Sequence, residues 1–277
     1  MLILAATPIG NLSDSSARLI EALTESRFIA AEDTRTLLKL AHGLGIKLNA
    51  TLFSLHEHNE ADRVKKILDI ALENDVLVVS DAGMPTISDP GFVLVRAAIE
   101  ADIAVSVIPG PSAVLAALSV SGLPTDRFTF EGFLPRKAGE RTKAFEDLSN
   151  EVRTMVFFES PHRLTDCLVS AAKVFGNDRQ ASVSRELTKK FEETKRGSLE
   201  SLVEWSKIEP KGEMVLVIAG FIRNEEVNLA DLVESVEQLR NTGLSLKQSV
   251  AEVASAHGVG KSELYKEVLD SRSRDPK

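Results

Sequence analysis

Residues 76–91 read VLVVSDAGMPTISDPG, a short apolar run that passes directly into a loop rich in Gly, Pro and Ser. The run Val76–Ser80 predicts a buried strand, and Asp89 followed by Pro90 predicts the N-cap and first position of a helix. The loop is longer than most strand-to-helix connections, and its glycines allow the backbone to approach a ligand closely. This stretch therefore predicts an α/β fold with a ligand site at a strand end.

The same alternation of apolar runs and amphipathic stretches extends on both sides of this segment. Strand-like runs occupy Leu2–Ala6, Phe28–Ala31, Thr51–Leu55, Val76–Ser80 and Val105–Pro109. Helical patterns lie near Ser15–Glu25, Thr34–Leu44, Glu60–Glu73, Phe92–Ala101 and Ala113–Ser121. Strands and helices that alternate at this spacing predict a mainly parallel sheet covered on both faces.

The pattern restarts after Gly122-Leu123-Pro124, which predicts a second α/β domain with a mixed sheet. Its strand-like runs are Phe128–Phe133, Thr154–Glu159, Ala181–Arg185 and Met214–Ala219. Its helical patterns lie near Lys137–Leu148, His162–Phe175 and Leu199–Ser206. We expect one domain at residues 1–122, a second at 123–223 and a small helical unit at 224–277.

The C-terminal segment predicts helices only. Ser245 with Gln248 fits a capping box, and a turn at residues 257–260 separates two helical patterns, as in a helix-turn-helix unit. The segment carries seven basic and ten acidic residues. This balance favours a packing or docking role over DNA binding.

The composition is typical of a cytoplasmic globular protein, with 43% hydrophobic and 27% charged residues. The single cysteine, Cys167, suits a reducing compartment, and no apolar stretch is long enough to cross a bilayer. The net charge of −8 disfavours a general nucleic-acid binder. Two windows, Arg127–Phe145 and Arg179–Arg196, each carry a local charge of +3. Such windows are usually solvated faces, but they can also hold phosphates.

Two further loops resemble the one after Ser80. Pro109-Gly110-Pro111-Ser112 and Glu159-Ser160-Pro161 each follow a strand-like run, and Ser112 and Ser160 are expected helix caps. Ligands of α/β sheets bind at the carboxyl ends of strands, near helix N-termini, so the three loops together predict a pocket. Neither a dinucleotide fingerprint nor a phosphate loop occurs. His56 and His58 lack a strong metal spacing, and we expect no metal site.

Several segments, in order along nearly the whole chain, carry a resemblance to a known family. They are ATPIGNL (6–12), AEDTR (31–35), SDAGMPTISDPG (80–91), IPGPSA (108–113), SGLP (121–124), EGFLPRK (131–137), FESPHR (158–163), RELTKKFE (185–192) and KGE (211–213). With them the chain resembles the tetrapyrrole methylase superfamily and, within it, the bacterial ribosomal RNA small subunit methyltransferase I family. Met84 departs from the pattern, which has Thr at that position.

The resemblance implies a homodimer that binds S-adenosylmethionine in a cleft between two α/β domains. It implies methylation of the 2′-oxygen of a decoding-centre cytidine in the 16S rRNA of the small ribosomal subunit. The implied cofactor-binding residues are Pro8, Gly10, Asp81, Ala82, Gly83, Met84, Ser112, Ala113, Phe158 and Glu213 or Met214. Asp81 also has a purely structural interpretation, as a hydrogen-bonding group that stabilises its own loop.

A ribose hydroxyl is a poor nucleophile while it is protonated, so the implied reaction would be helped by a general base. The candidates are Glu32, Asp33, Glu159, His162, Glu186 and Lys189. A cap contact for Glu159 and a solvent position for His162 remain equally open. The candidate phosphate contacts are Arg35, Arg136, Lys137, Arg163, Arg185 and Lys189. Phe133 is a possible base-stacking residue, although core packing is the stronger expectation for it.

Two other functions stay open at this stage. A superfamily relative that methylates a carbon of a tetrapyrrole, or a protein side chain, would also suit basic residues near the cleft. A nucleotide-sensing regulator would instead use the C-terminal helices to bind DNA, which the acidic C-terminus disfavours.

Overall fold

The computed structural model describes residues 1–56, 60–222, 229–257 and 259–274, with side chains for all of these except 60–62 and 273–274. These residues form two compact units, Met1–Phe221 and Ile222–Lys277. His58 of the histidine pair and Gly258 of the predicted turn lie outside the described residues.

The first sheet is parallel throughout, as the sequence predicts. Its strands, in the order β3-β2-β4-β1-β5, are β1 (Leu2–Ala5), β2 (Phe28–Ala31), β3 (Thr51–Ser54), β4 (Val76–Val79) and β5 (Val105–Ile108). The helices that alternate with them are α1 (Ala17–Glu25), α2 (Thr34–Gly43), α3 (Glu60–Ala71), α4 (Phe92–Glu100) and α5 (Ala113–Ser121). Every residue of β4 is buried, because apolar clusters cover both faces of the sheet.

The second sheet is mixed, again as predicted. Its order is β6-β7-β10-β8-β9, with β6 (Phe128–Phe133), β7 (Thr154–Glu159), β8 (Gln180–Arg185), β9 (Glu193–Ser198) and β10 (Met214–Ile218). β6 pairs with β7 in parallel, whereas β10 and β9 pair with their neighbours antiparallel. The helices of this half are α6 (Ala138–Asp147), α7 (Leu164–Phe175) and α8 (Leu199–Ser206). The predicted α/β fold class with two sheets is thus confirmed.

Helix α5 follows the last strand of the first sheet but packs against the second. Its buried residues Val114, Ala117 and Leu118 belong to one apolar cluster with Val156 and Val217. At the other end of the helix, the Arg196 guanidinium of β9 donates hydrogen bonds to the carbonyl oxygen of Val120. The connection 109–112 therefore leads from one sheet to the other.

The C-terminal unit is a three-helix arrangement of α9 (Leu229–Asn241), α10 (Leu246–His257) and α11 (Lys261–Arg274). Its core is formed by Leu232, Val236, Val250, Leu264 and other apolar residues. The predicted capping box is confirmed, since Gln248 N donates to Ser245 Oγ at 3.3 Å and Ser245 N donates to Gln248 Oε1 at 3.1 Å. Helix α9 was not predicted from the sequence.

One local prediction is wrong. The helix after the long loop begins at Phe92, and its N-cap is Gly91 in a left-handed conformation (φ +117°), without a side-chain cap. Asp89 is therefore neither the cap nor adjacent to it. Across the described ranges, no helix is long and apolar enough to span a lipid bilayer.

Candidate active site

A cavity of about 710 Å³ opens in the first unit where the ends of both sheets meet. The loops that follow β1, β4 and β5 form one wall, and the ends of β6, β7 and β10 form the other. Among the expected cofactor-binding residues, those that line it are Ala82, Gly83, Met84, Ser112, Ala113, Phe158, Glu213 and Met214. Most of the cofactor-binding residues expected from the sequence therefore line the cavity.

The loop after β4 is tied to the loop after β1 by backbone hydrogen bonds. Thr7 N donates to Gly83 O at 2.9 Å, and Gly83 N donates to Thr7 O at 3.1 Å. Gly83 has a φ of +81°, which residues with a Cβ adopt only at a cost. The Ser80 hydroxyl donates to Gly83 O at 3.2 Å. This arrangement holds the backbone of Gly83 at the cavity wall.

Three expected cofactor-binding residues lie beside the cavity rather than in its wall. Pro8 is buried. A methyl group on Gly10 would lie 2.6 Å from Lys189 Cγ, so Gly10 allows the Lys189 chain to approach. Asp81 is exposed and accepts a hydrogen bond from Asp33 N at 3.2 Å, which agrees with the structural interpretation of this side chain.

The N-terminus of α5 contributes to the cavity wall. The Ser112 hydroxyl caps the helix by accepting a hydrogen bond from Leu115 N at 3.5 Å, as predicted. The backbone N–H groups of the first turn lack intrahelical acceptors, and Ala113 and Val114 line the cavity. This end of the helix can therefore receive an acceptor or a negative charge.

Lys189 is held at the opposite wall by two carboxylates. Its Nζ lies 3.0 Å from Glu186 Oε1 and 2.9 Å from Glu213 Oε2. Burial alone would lower the pKa of Lys189, but the hydrogen bonds to Glu213 and Glu186 outweigh it and raise the pKa. A lysine held in its charged form is a poor proton acceptor, which disfavours Lys189 as a general base.

Glu159, which lines the cavity, forms an ion pair with Arg163. The Glu159 side chain has no exposed surface, and its Oε1 lies 3.3 Å from Arg163 Nε. Arg163 Nη2 also donates to the carbonyl oxygens of Leu134 at 2.6 Å and Pro135 at 3.2 Å. Arg163 therefore holds the segment that precedes Arg136, and these contacts disfavour a phosphate contact for it. The pKa of the neighbouring Cys167 thiol is raised by burial and by the negative charge of Glu159.

The acidic residues at the ends of β2 and β4 form a cluster next to the cavity. Asp33 caps α2 and binds the Arg35 guanidinium, whose hydrogen bonds lower the pKa of Asp33 to about 2. Glu32 accepts a hydrogen bond from Asp81 N at 3.1 Å. Glu32 is close to the cavity without lining it. His162 is exposed and likewise not part of the lining.

The expected phosphate contacts differ in their availability. Arg136 and Lys137 are exposed and follow Leu134 closely in the chain. The one described ion pair of Lys137 joins its Nζ to Glu140 Oε1 at 2.9 Å. Arg35 is exposed but bound to Asp33. Arg185 donates to Glu193 Oε2 at 2.7 Å. In the pair 136–137, Arg136 is exposed without a described ion pair, which favours this pair among the expected contacts.

Comparison with known proteins gives the family. Residues 1–203 match the family Tetrapyrrole (Corrin/Porphyrin) Methylases. The ribosomal RNA small subunit methyltransferase I of Mycobacterium tuberculosis (strain CDC 1551 / Oshkosh) is 48% identical over 274 residues, which cover 98% of this chain and 95% of that protein. The protein of the same name from Escherichia coli O157:H7 is 43% identical, with 98% and 95% covered. The chain belongs to the tetrapyrrole methylase family and, within it, to the ribosomal RNA small subunit methyltransferase I family.

Solved structures of the superfamily share the fold. Uroporphyrin-III-C-methyltransferase from Thermus thermophilus superposes with a TM-score of 0.55 at 18% identity, covering 79% of this chain and 93% of that one. Diphthine synthase gives a TM-score of 0.59 at 16% identity, with 79% and 89% covered. At these identities the comparison establishes the tetrapyrrole methylase fold alone.

For two residues of this family member's site, the stronger expectation from the sequence is wrong. Phe133, expected in the core, is 60% exposed at the cavity, with its ring centroid 5.4 Å from that of Phe158. Asp89, expected to cap a helix, lines the cavity. Burial raises the pKa of Asp89 to about 7, with contributions from the negative charges of Glu32 and Asp81 that exceed the effect of the Ser80 hydroxyl. The sequence marks Asp89 only by its place in the long loop.

The absence of a metal site stays a prediction, because His58 of the histidine pair lies outside the described residues. Within the described part of the chain, no group of three or more His, Cys, Asp or Glu side chains is arranged to hold a metal ion.

Proposed function

We propose that this chain transfers the methyl group of S-adenosylmethionine to the 2′-oxygen of a decoding-centre cytidine in 16S rRNA. The supporting observation is a ligand-sized cavity, built by loops at successive strand ends, in a chain 48% identical over 98% of its length to a ribosomal RNA small subunit methyltransferase I. The proposed reaction takes place in the cytoplasm.

The cavity fits S-adenosylmethionine in size and in chemistry. Its volume of about 710 Å³ lies within the range of small-molecule sites. Apolar side chains such as Met84, Phe158 and Leu187 line it and suit an adenine ring. The capped start of α5 offers backbone N–H groups to a carboxylate, and Glu213 offers a carboxylate oxygen to an amino or hydroxyl group.

Bound S-adenosylmethionine supplies an electrophilic methyl group on a sulfonium. The residues of the chain then have to orient the accepting hydroxyl, exclude water and remove a proton. The Thr7–Gly83 backbone hydrogen bonds and the Lys189 ion pairs make the two walls rigid. Such rigidity serves the first of these tasks.

The rim of the cavity suits a single-stranded nucleotide. Phe133 presents an exposed ring at the cavity, and Arg136 and Lys137 follow it closely in the chain. Base stacking on an aromatic ring and contacts to neighbouring phosphates are common in the recognition of unpaired RNA. We therefore propose Phe133 as a stacking residue and the basic pair as phosphate contacts.

We further propose that the chain acts as a homodimer. β5 is an edge strand with Val107 43% exposed, and Phe92 on α4, which contacts β5, is 65% exposed. Apolar side chains next to an open sheet edge are commonly covered by a partner.

The direct test is methyl transfer to purified ribosomal particles. With methyl-labelled S-adenosylmethionine, we expect label in the 16S rRNA of small subunits from cells that lack this protein. Nuclease mapping should then locate the label on one ribose. Label on a base, or label on a tetrapyrrole precursor and none on rRNA, would contradict the proposal.

A further inference from the structure

Four carboxylates line the cavity among the described residues, at Asp89, Glu159, Glu186 and Glu213. Three of them contact a cation: Glu159 contacts Arg163 at 3.3 Å, whereas Glu186 and Glu213 contact Lys189 at 3.0 and 2.9 Å. A carboxylate paired with a cation is stabilised in its ionised form and accepts a proton poorly. Glu159 is in addition completely covered.

Asp89 has a different environment. The charged groups that face it from the described elements are two other carboxylates, Glu32 at the end of β2 and Asp81 at the end of β4, and its polar neighbour is the Ser80 hydroxyl. Like charges nearby favour the protonated form of a carboxyl group. Asp89 is thus the cavity carboxylate whose surroundings assist proton uptake.

The backbone of the loop keeps Asp89 at the cavity. Thr86 and Ser88 have positive φ angles of +75° and +61°, which are uncommon for residues with a Cβ and are concentrated at functional sites. Because α4 begins only after Gly91, the Asp89 side chain is not used as a cap. Ser88 Oγ would lie 3.6 Å from a Cβ at Gly132, so this loop lies against the residue that precedes Phe133.

We propose that Asp89 is the general base of the methyl transfer and takes the proton from the ribose 2′-hydroxyl. This inference rests on the proposed function. It combines a cavity carboxylate free of cationic partners in the described structure with a loop that approaches the proposed stacking residue.

The proton balance of the step is complete. The 2′-oxygen forms a bond to the methyl carbon as the carbon–sulfur bond breaks, and the electron pair of that bond returns to sulfur. The hydroxyl proton passes to the Asp89 carboxylate. The products are a methyl ether, a neutral thioether and a protonated Asp89, which releases its proton to solvent after the reaction.

The electrostatics of Asp89 agree with this role. Its pKa is raised to about 7 by burial and by the charges of Glu32 and Asp81. A base with a pKa near the working pH combines a large ionised fraction with a strong tendency to take up a proton.

The first test is Asp89→Asn, which keeps the shape of the side chain and removes the base. We expect the single-turnover rate on small subunits, with S-adenosylmethionine at saturation, to fall by about 100-fold or more, while calorimetry still detects binding of S-adenosylmethionine. Asp69→Asn, an exposed substitution on α3, is the matched control and should keep the full rate. An Asp89→Asn chain as fast as wild type would refute the role.

The second test is the pH dependence of the wild-type rate. A base with a raised pKa is ionised above that pKa, so the rate should increase with pH and level off above about pH 7. Glu32→Gln removes one neighbouring negative charge and should shift the midpoint to lower pH. A midpoint unchanged by this substitution would contradict the assignment.

A third measurement needs no RNA and no turnover. A sulfonium bound in the same cavity should lower the pKa of Asp89, so binding of S-adenosylmethionine at pH 7 should release protons, whereas the neutral product S-adenosylhomocysteine should release fewer. Calorimetry in buffers of different ionisation enthalpy measures this release. Equal release by wild type and Asp89→Asn would overturn the inference. A wild-type chain that methylates no rRNA would instead contradict the proposed function.

Discussion

Gly83 holds the backbone of the long loop at the cavity wall proposed to bind the cofactor. It has a φ of +81°, and a Cβ at this position would lie 3.5 Å from Ile9 Cγ2 and 3.7 Å from the carbonyl oxygen of Pro111. Any side chain here is therefore strained and also points toward neighbouring cavity loops. The position requires glycine for backbone conformation more than for lack of space.

We expect Gly83→Val to weaken binding of S-adenosylmethionine by at least about tenfold while the chain remains folded, because strain of about 1–3 kcal/mol changes the cavity wall. Isothermal titration calorimetry measures the affinity, and circular dichroism checks the fold. Gly45→Val is the matched control, since Gly45 has a φ of +70° with no neighbour within 4 Å of a Cβ. If Gly83→Val and Gly45→Val bound S-adenosylmethionine with equal affinity, Gly83 would not be part of the binding site.

Single residues were the least predictable part of the site. Asp89 followed by Pro90 has the sequence of a helix start, but Gly91 in a left-handed conformation is the N-cap and the helix begins at Phe92. Phe133 looks like a core residue because it ends an apolar strand, yet the β-bulge between Phe130 and Gly132 changes the register and leaves its ring exposed. Both outcomes depend on tertiary backbone geometry.

At the scale of elements, strands with a buried face were predictable and the polar edge strand was not. β9 reads ETKRGS and has no apolar alternation, because an edge strand is held by backbone pairing and charged side chains protect it. The omission of α9 has another cause, since its buried Leu232 and Val236 do follow helical spacing. That signal was present in the sequence.

The pair Glu159–Arg163 joins the end of β7 to the segment before α6. We expect Arg163→Met to lower the free energy of unfolding by about 3–5 kcal/mol, because it leaves a buried carboxylate without its cation. Chemical denaturation measures the loss. Glu159→Gln combined with Arg163→Met should cost less than Arg163→Met alone.

Lys207→Met serves as the control for this pair, because the exposed Lys207–Glu204 pair should contribute less than about 1 kcal/mol. If Arg163→Met cost no more than this control, the buried pair would not hold the segment in place.

The start of α6 carries the proposed RNA contacts. We expect Arg136→Glu with Lys137→Glu to weaken binding to small subunits and to lower the salt dependence of log K by roughly 1–2, with cofactor affinity unchanged. The exposed Lys137–Glu140 pair is too weak to oppose phosphate binding. Filter binding at several salt concentrations measures both quantities.

The matched control is Arg18→Glu with Lys47→Glu, at two exposed residues in the first half of the chain. It changes the net charge by the same amount as Arg136→Glu with Lys137→Glu. It should bind subunits almost as wild type does. If the two double variants lost the same affinity for small subunits, net charge alone would explain the loss.

At the scale of the whole molecule, alternation of strands and helices predicted two sheets, the first mainly parallel and the second mixed. It did not predict that α5 belongs to the second sheet by its contacts, because the apolar residues of a helix do not specify which sheet they cover. The domain limits at residues 122 and 223 stay predictions.

The proposed dimer can be tested on the intact chain. Light scattering after size-exclusion chromatography should give about twice the monomer mass of 30.1 kDa. Val107→Lys on the edge strand β5 should shift the mass toward the monomer, whereas Val169→Lys, at a residue 50% exposed on α7, should not. A monomeric wild type at micromolar concentration would contradict the proposal.

The attachment of α5 to the second sheet has a mechanical consequence. Any rotation of one sheet against the other has to be taken up by the four residues 109–112, where two prolines limit the backbone and Gly110 lies so near Ala6 that a Cβ would approach within 2.9 Å. The start of α5 lines the cavity. A change in the spacing of the two halves would therefore move groups of the proposed cofactor site, which would link cofactor loading to the width of the proposed RNA entrance.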